Sequence, residues 1–353
     1  MYSIRCYIYL AALMILMVKS MPAQSPQFRI VRTEFVEPAP SVAEVHASNI
    51  IEAADGTLVC AWFGGTKEGN PDVTVWVSRY VGGQWTPGVS MADGVQTAKL
   101  RYPAYNPVMH CTPEGRIWMF FKVGKDPESW WGESMYSDDN GISWTGRKKL
   151  PKGFLGPVKN KPVVLKDGTV ICPSSIEYSS KEWVAHMEIT DEKFEHWEKS
   201  KPVPDPHNYG AIQPTVIRHA DGRLQALFRS NGRNLIYSWS KDSGRTWSPL
   251  EFSGYYMANS GIDAETLADN KGFLLVYNPN EKPDNPKSWG PRTPLVVSHS
   301  TDGRTWRPVA LLEHKKTRWG YSYPSIIQAK DGRVHVTYTW NRGRICHVIL
   351  EQL

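Results

Sequence analysis

One short turn recurs six times along the chain, and it limits the possible folds more than any other feature. Each copy is a turn that ends in glycine and leads into an apolar segment, as in Ala54-Asp55-Gly56. The six glycines lie 50 to 60 residues apart, which divides the chain into six similar units. An apolar segment also precedes each turn, and Asp-Gly suits the positive φ of a tight turn, so each unit is predicted to contain a β-hairpin. The turn glycines are Gly56, Gly115, Gly168, Gly222, Gly272 and Gly332.

A second motif, Ser-x-Asp-x-Gly-x-(Ser/Thr)-Trp, follows the hairpin in several units. It spans 137–144 and 240–247, a version one residue shorter spans 300–306, and eroded copies end at Trp85 and Trp197. In this Asp-box turn the Asp and Ser side chains bond to backbone groups inside the loop, and the Trp ring packs between neighbouring sheets. We therefore assign these residues a structural role and no chemistry.

Repeat and composition together predict the fold class. The chain has 15 Trp, 16 Tyr, 28 Gly and 26 Pro with only 22% charged residues, which favours short strands and tight turns over helices. Six units that cannot bury both faces alone close into a ring. The sequence predicts an all-β fold: a six-bladed β-propeller of four-stranded antiparallel blades with Asp-box turns. Residues 24–353 are expected to form this single domain, and segment 28–36 to pair with the last blade.

The first 23 residues have the pattern of a signal peptide. Arg5 precedes the apolar run 7–18, and small and polar residues follow it. This run of about a dozen residues is short for a bilayer span. We expect the segment to be removed and the protein to be secreted or periplasmic, without a membrane span.

Four cysteines remain after that segment: Cys60, Cys111, Cys172 and Cys346. Each lies in an apolar strand-like segment, and none forms a close C-x-x-C pair. Buried free thiols are the main expectation, and one disulfide stays open in an oxidising compartment.

The charge distribution and the motifs of the chain argue against a nucleic-acid, metal or cofactor partner. The net charge of +6 is spread along the chain without a run of five basic residues, so a nucleic-acid partner is not expected. No His, Cys or carboxylate pairs have metal-ligand spacing, and phosphate-binding motifs are absent, so no metal or cofactor is predicted.

The repeat also predicts where a ligand would bind. In a propeller the inner strand of each blade lines the central axis and starts at one common mouth. Counting nine or ten residues back from each turn glycine gives one polar residue per blade, and strand parity adds Lys161 and Tyr321. These residues are predicted to form the mouth, either as a site or as solvated strand ends. The ring is His46, Asn106, Lys159, Gln213, Asp263 and Tyr323.

Charged residues on loops and strand ends could overhang this mouth. Glu68 and Asp72 lie in the glycine-rich stretch after the second strand of blade one, and Glu177 follows Pro173-Ser174-Ser175. Arg229 ends the second strand of blade four, and Arg292 precedes the third Asp box. Solvent exposure or a simple ion pair remains an alternative for each.

Over about residues 40–350 the chain resembles the sialidase superfamily, in its BNR-repeat, Asp-box branch. The resemblance is carried by stretches such as HASNIIEAADGTLVCAWFGG, IQPTVIRHADGRLQALFRS and YSYPSIIQAKDG. Sialidases of this superfamily hold a sugar carboxylate with three arginines, use an acidic acid/base, and attack with a Tyr activated by a Glu. Guanidinium groups suit this task because they pair with a carboxylate through two parallel hydrogen bonds.

The resemblance implies roles for six residues of this chain. Two arginines match by their distance from the blade turn and from the following Asp box, and the nucleophile and the acid/base each have two adjacent candidates. The matches are Arg229 and Arg292 for the carboxylate, Tyr321 or Tyr323 as nucleophile, and Glu68 or Asp72 as acid/base.

Two family positions differ. His46 stands where the family has its first arginine, and Gln213 stands where it has the activating Glu. A neutral amide cannot act as the base for Tyr. The usual mechanism therefore cannot be transferred unchanged.

Three functions are compatible with these residues. The main prediction is a secreted exo-glycosidase for a terminal acidic or modified sugar of extracellular glycans, with Glu177 or Asp263 completing a rearranged catalytic pair and the other mouth residues binding substrate. The alternatives are a rhamnosidase- or lyase-type enzyme on uronate-linked glycans that uses His46, and a non-catalytic glycan-binding propeller. All three have a carbohydrate partner.

Overall fold

The computed structural model describes residues 26–268, 271–285 and 288–353. The predicted signal peptide at 1–23 lies outside these ranges. The described chain contains no α-helix, so it has no helix that is long and apolar enough to cross a membrane. Six antiparallel sheets of four or more strands are arranged in chain order around one axis, which is the six-bladed β-propeller that the repeat predicts.

The first half of the propeller contains blades one to three. Their strands follow one another from the axis outwards, and blade one has an additional short strand. A separate two-stranded hairpin connects blades one and two. The strands after β1 (Phe28–Phe35) are β2 (Glu44–Glu52), β3 (Leu58–Gly65), β4 (Thr74–Val81), β5 (Gln84–Trp85), β6 (Val89–Ala92), β7 (Val95–Thr97), β8 (Leu100–Arg101), β9 (Ala104–Cys111), β10 (Ile117–Val123), β11 (Trp131–Ser137), β12 (Thr145–Lys149), β13 (Val163–Val164), β14 (Val170–Glu177), β15 (Trp183–Thr190) and β16 (Glu198–Lys199).

Blades four to six complete the ring with the same order of strands. The inner strands of blades three and five, β13 and β21, are shorter than the other four. The remaining strands are β17 (Ala211–Arg218), β18 (Leu224–Ser230), β19 (Asn234–Ser240), β20 (Glu251–Tyr256), β21 (Asp263–Thr266), β22 (Phe273–Tyr277), β23 (Leu295–Ser300), β24 (Arg307–Glu313), β25 (Tyr321–Gln328), β26 (Val334–Trp340) and β27 (Arg344–Gln352).

Blade six takes its outer strand from the other end of the chain. β1 pairs antiparallel with β27, from Phe28 opposite Gln352 to Phe35 opposite Cys346. The predicted pairing of segment 28–36 with the last blade is therefore confirmed. Because this pairing joins distant parts of the sequence, the backbone groups at the edge of β27 are satisfied and the ring is shut.

The turns have the conformations that their residues predict. All six turn glycines have positive φ, from 82° at Gly168 to 106° at Gly272, a region that costs glycine little. In the Asp box of blade four, the Asp242 carboxylate accepts bonds from the backbone and hydroxyl of Thr246. The Trp247 indole donates to the Gly244 carbonyl and its ring is buried. These contacts support the structural role assigned to the motif.

The core consists of apolar clusters that lie between adjacent blades. Between blades one and two, for example, Val59, Met109 and Phe121 are all fully buried in one cluster. Cys60, Cys172 and Cys346 are buried free thiols, and Cys111 is a half-buried one. The expectation of free thiols in apolar strands is confirmed for this part of the chain. This packed apolar layer fixes the inner strands and therefore the positions of the residues at their ends.

Candidate functional site

A cavity of about 890 Å³ opens on the axis where the inner strands start. We call it the mouth cavity. Its floor comes from the first residues of inner strands. Most of its wall comes from the loops that connect the second and third strands of the blades, while Arg229 comes from the end of β18 and Arg318 from the connection between β24 and β25. Its polar lining includes His46, Asn106, Gln213 and Tyr323 from the floor, and Glu68, Asp126, Glu177, Arg229, Arg292, Arg318 and Arg342 from the wall.

A repeated backbone irregularity aims the floor residues into the cavity. Ala47, Asn106, Gln213 and Tyr323 occupy equivalent places in blades one, two, four and six, and all four have positive φ, between 45° and 52°. Each lies at a shift in strand register, which marks a β-bulge. L-residues adopt this conformation at a cost, so four copies at one mouth indicate a built site rather than ordinary strand ends.

Arg229 is the most deeply buried cation of the cavity, with 2% of its surface exposed. Its Nε and Nη2 donate to the side-chain and backbone oxygens of Asn259. Its Nη1 donates to Gln213 Oε1 at 3.1 Å and to Tyr323 Oη at 2.6 Å. All four acceptors are neutral, so the charge of Arg229 is oriented but not neutralised by them.

Two further arginines face the same space. Burial, together with the nearby charges of Arg229 and Arg342, lowers the pKa of Arg292 to about 10. Arg342 pairs with Glu68, with Nη1 and Oε2 2.5 Å apart. Within the described residues neither Arg229 nor Arg292 forms an ion pair with a carboxylate. The cavity thus holds more positive charge than its own acids balance, and it suits an anionic ligand.

His46 lies against Tyr323, with ring centroids 4.2 Å apart. Its Nδ1 is hydrogen-bonded to the Thr339 hydroxyl at 3.0 Å. Burial, followed by the charges of Arg342, Arg292, Arg229 and Lys159, lowers the pKa of His46 well below its usual value. His46 is therefore neutral at neutral pH.

The acids of the cavity differ in environment. Burial, with a smaller contribution from Glu128, raises the pKa of Glu177, while Arg229 acts in the opposite direction. Glu68 is more exposed and is held by Arg342. A carboxyl group with a raised pKa is suited to donate a proton near neutral pH. In the ranges that the structure describes, no three or more His, Cys, Asp or Glu side chains are grouped so that they could hold a metal ion.

Aromatic side chains complete the wall of the mouth cavity. Tyr105, Trp130 and Trp183 line it, and Trp289 and Trp319 lie at its rim with 59% and 49% of their surface exposed. Aromatic faces pack against the apolar faces of sugar rings, while polar groups orient the ring hydroxyls. Charge and aromatic surface together fit an acidic sugar.

The structure brings four members of the predicted ring together and not the other two. His46, Asn106, Gln213 and Tyr323 line the mouth cavity. Lys159 is buried below it, where its Nζ donates to Asn160 Oδ1 and to the carbonyls of Ile262 and Pro324. The predicted mouth position of Lys159 is wrong, because its amine is used in bonds that connect blade three to blades five and six across the axis.

Asp263 is the second ring residue that does not reach the cavity. It is fully buried on the axis, and its carboxylate accepts bonds from the Thr215 hydroxyl, the Ile326 backbone and Lys161. Lys161 itself lies on the other side, where it also pairs with Glu265 and lines a cavity on the opposite face. Both residues connect blades rather than facing a ligand at the mouth.

For the nucleophile and for the acid/base, the structure places one of the two candidate residues at the mouth cavity and the other away from it. Tyr321 is 1% exposed in the core between blades five and six, and its hydroxyl donates to the Lys315 carbonyl. The bulge at Tyr323 interrupts the alternation of strand faces, so parity does not bring Tyr321 to the mouth. Asp72 caps its own loop by accepting two bonds from Thr66, whereas Glu68 lines the cavity.

Arg342 is the main residue that the sequence analysis missed. It lies in the turn between β26 and β27, which corresponds in blade six to the loop of Glu68 in blade one; Glu177 ends β14 just before the corresponding loop of blade three. The signal for it is the charge of this residue at a loop position that the repeat defines in every blade. Arg318 and the aromatic rim residues lie in longer connections where spacing carries little information.

A model of the family described as BNR repeat-like domain matches residues 56–336 of this chain. The chain belongs to the BNR repeat-like family. This match covers most of the six blades, and it agrees with the resemblance to the Asp-box branch of the sialidases.

Other known proteins similar to this BNR repeat-like protein point the same way. A sialidase from Paraclostridium sordellii is 27% identical over 135 residues, which are 33% of this chain and 32% of the relative. The matched region thus spans about a third of that relative. Among solved structures, a protein of unknown function from Dyadobacter fermentans has a TM-score of 0.75 at 18% identity, covering 93% of this chain and 100% of that one. The NanB sialidase of Streptococcus pneumoniae has a TM-score of 0.66 at 14% identity, covering 95% and 72%.

At 18% and 14% identity, these structures show the fold of this BNR repeat-like protein. The sialidase-like propeller is therefore shown.

Proposed function

We propose that this protein is a sialidase-type glycosidase that binds the terminal acidic sugar of a glycan through its carboxylate and cleaves the bond to the next unit. One observation carries the proposal: Arg229 and Arg292 line the mouth cavity without a carboxylate partner among the described residues. Buried charges are normally paired, so such a site is stabilised by an anion from outside. A carboxylate fits because a guanidinium can bind both of its oxygens.

Tyr323 is the proposed nucleophile. Its oxygen would attack the anomeric carbon of the sugar while an acid protonates the departing glycosidic oxygen; water would later release the sugar and restore the phenol. Glu177, with its raised pKa, and Glu68 are the candidate acids. His46, whose ring packs against that of Tyr323, is the candidate acceptor for the phenol proton, because the neutral amide of Gln213 cannot take it.

A second function is favoured by the same His46. With arginines that can neutralise a uronate carboxylate, the His46 imidazole would take the proton from the carbon next to that carboxylate. A carbon–carbon double bond then forms as the bond to the linked sugar breaks, and Glu177 would protonate the departing oxygen. This lyase-type reaction would leave a double bond in the product, whereas hydrolysis adds water and leaves a free reducing sugar.

A panel of glycans with terminal sialic acids, uronic acids and neutral sugars tests both reactions. Hydrolysis predicts a released acidic monosaccharide and no new ultraviolet absorbance, and the wild-type protein should leave neutral termini intact. A product that absorbs in the near ultraviolet would favour the lyase. Binding of acidic glycans without any product would make the propeller a glycan-binding module.

The substrate class agrees with an extracellular location, and we propose that residues 1–23 direct export. Sequencing the N-terminus of the protein from the producing cells should find it starting near residue 24. Recovery of the intact segment in the cytoplasmic fraction would contradict export.

A further inference from the structure

Glu68 and Arg342 form an ion pair across the mouth cavity, between the wall loops of blades one and six. Glu68 Oε2 and Arg342 Nη1 are 2.5 Å apart, and their side chains are 40% and 19% exposed. Both residues line the cavity that also contains Arg229 and Arg292. One of the three arginines most suited to bind a ligand is thus occupied by an acid of the protein itself.

Arg342 is held at this place by its backbone. Asn341 and Arg342 have φ of 48° and 61°, a strained turn for two L-residues. The Arg342 carbonyl accepts a bond from the Val45 amide, next to His46, and the Asn341 amide donates to the Gly320 carbonyl. The turn is therefore fixed to blade one and to the segment that precedes β25, and Arg342 cannot easily leave the cavity.

Glu68 is held by a smaller set of contacts. Its amide donates to Glu44 Oε2, and its loop is closed by the bonds between Thr66 and Asp72. Its carboxylate pairs with Arg342, and Glu68 is the more exposed member of this pair. An exposed ion pair of this kind contributes little net stability, so a better-placed carboxylate can replace it.

At the position of His46, blade one supplies no positive charge to the cavity. The family arginine expected at that place of blade one is absent, and His46 is neutral. Arg342 is the charge with the largest effect on His46, ahead of Arg292 and Arg229. The positive charge that His46 does not carry is thus supplied beside it by a residue from another blade.

We propose that Arg342 is the third carboxylate-binding cation of this cavity and that Glu68 occupies it until the substrate carboxylate displaces it. This inference rests on the proposed function, because it assumes an acidic sugar. Glu68 is then a competitor of the substrate for Arg342, and displacement frees it to turn towards the glycosidic oxygen. The exchange moves hydrogen bonds only, and no covalent bond is formed or broken.

Calorimetric titration of the mature protein with N-acetylneuraminic acid and with glucuronic acid tests this exchange. Glu68→Gln removes the competitor, so the better of the two acids should bind about threefold more tightly, the scale expected for an exposed ion pair. Arg342→Gln should weaken its binding by about tenfold, as for the loss of a charged hydrogen bond. In the double variant the gain from Glu68→Gln should disappear.

Two controls separate this exchange from a general change of charge. The methyl ester of the same acid carries no charge, so Glu68→Gln should not improve its binding. Asp138→Asn breaks an exposed pair with Arg116 outside the mouth cavity and should leave sugar binding unchanged. Circular dichroism and thermal unfolding establish that each variant is folded.

The possible outcomes distinguish this inference from the proposed function. If acidic glycans are cleaved but Glu68→Gln brings no gain, or the gain persists without Arg342, the exchange is wrong and the glycosidase stands. If acidic sugars bind with the predicted pattern but no glycan is cleaved, the exchange stands and the glycosidase is wrong. If no folded variant binds either acid and no acidic glycan is cleaved, both are wrong.

Discussion

The guanidinium of Arg229 donates a hydrogen bond of 2.6 Å to the phenol oxygen of Tyr323, joining blade four to blade six across the mouth. The same Nη1 also donates to the neutral side-chain amide of Gln213. Negative charge that develops on the Tyr323 oxygen would thus be stabilised by a fixed cation rather than created by a neighbouring carboxylate. The contact relates carboxylate binding and nucleophilic attack to a single arginine.

Tyr323→Phe should reduce kcat by about a hundredfold or more, because it removes the attacking oxygen and keeps the ring beside His46. Tyr321→Phe is the matched control, since that hydroxyl bonds to the Lys315 carbonyl in the core. It should leave kcat unchanged and lower the free energy of unfolding by about 1 kcal/mol. Equal losses of activity in both variants would argue against a role for the Tyr323 hydroxyl.

Gln213→Glu should weaken the binding of an acidic sugar by about tenfold, because a carboxylate would pair with Arg229 and compete with the ligand. Gln213 is 3% exposed and already lies 3.1 Å from the guanidinium, so the new charge would be well placed. Gln213→Met keeps the side-chain length without the charge and should retain most of the affinity. Titration with the acidic sugar measures both. Unchanged affinity in Gln213→Glu would contradict the role of Arg229.

The turns of this propeller can be predicted from the sequence more reliably than the residues that line its mouth. Turn glycines and Asp boxes are local signals, because a positive φ or a bonded Asp side chain depends on residues within one loop. They predict six blades and the closing strand correctly. A mouth position is less local, because it also depends on where each inner strand begins and whether it contains a bulge.

Lys159 and Asp263 illustrate that difference. Their blades have the short inner strands β13 and β21, and neither residue has the positive φ found at Asn106, Gln213 and Tyr323. The same residue count therefore leads to the buried axis instead of the mouth. Arg342 lies between β26 and β27, so counting residues along the inner strands does not reach it.

His335→Gln should make the protein less sensitive to acid. Burial, together with neighbouring His347, lowers the pKa of His335 to about 4, against the usual value of 6.5. Between these values the unfolded chain binds a proton at this position and the folded chain does not, so stability is lost as the pH falls from 6.5 towards 4. The loss amounts to roughly 1.4 kcal/mol per pH unit.

Urea unfolding at pH 7, 5.5 and 4.5 measures this effect. Glutamine can keep a hydrogen bond to His347, which lies 3.0 Å from His335 Nδ1, and it adds no titrating group. The free energy of unfolding should therefore fall less steeply with acid in the variant than in the wild type. Identical slopes would mean that His335 binds its proton equally well in the folded state.

Asp242→Ala should destabilise the fold without altering catalysis. The carboxylate accepts bonds from Ser240 and from the backbone and hydroxyl of Thr246, and it lies outside the mouth cavity. Losing these bonds should cost about 1–3 kcal/mol in the free energy of unfolding. At a temperature where the variant is folded, its kcat/KM should equal that of the wild type. A selective loss of activity in the folded variant would assign the Asp box a functional role that its position does not suggest.

Recognition of a sugar carboxylate by the arginines of the mouth is the central claim, and a matched pair of substrates tests it most directly. The pair is the aryl glycoside of the acidic sugar identified by the glycan panel and the same glycoside with its carboxyl group reduced to an alcohol. The measurement is kcat/KM for both with the wild-type protein. Charged hydrogen bonds from two arginines predict a preference of about a hundredfold or more for the acid. Equal kcat/KM values, or faster cleavage of the reduced substrate, would contradict the account.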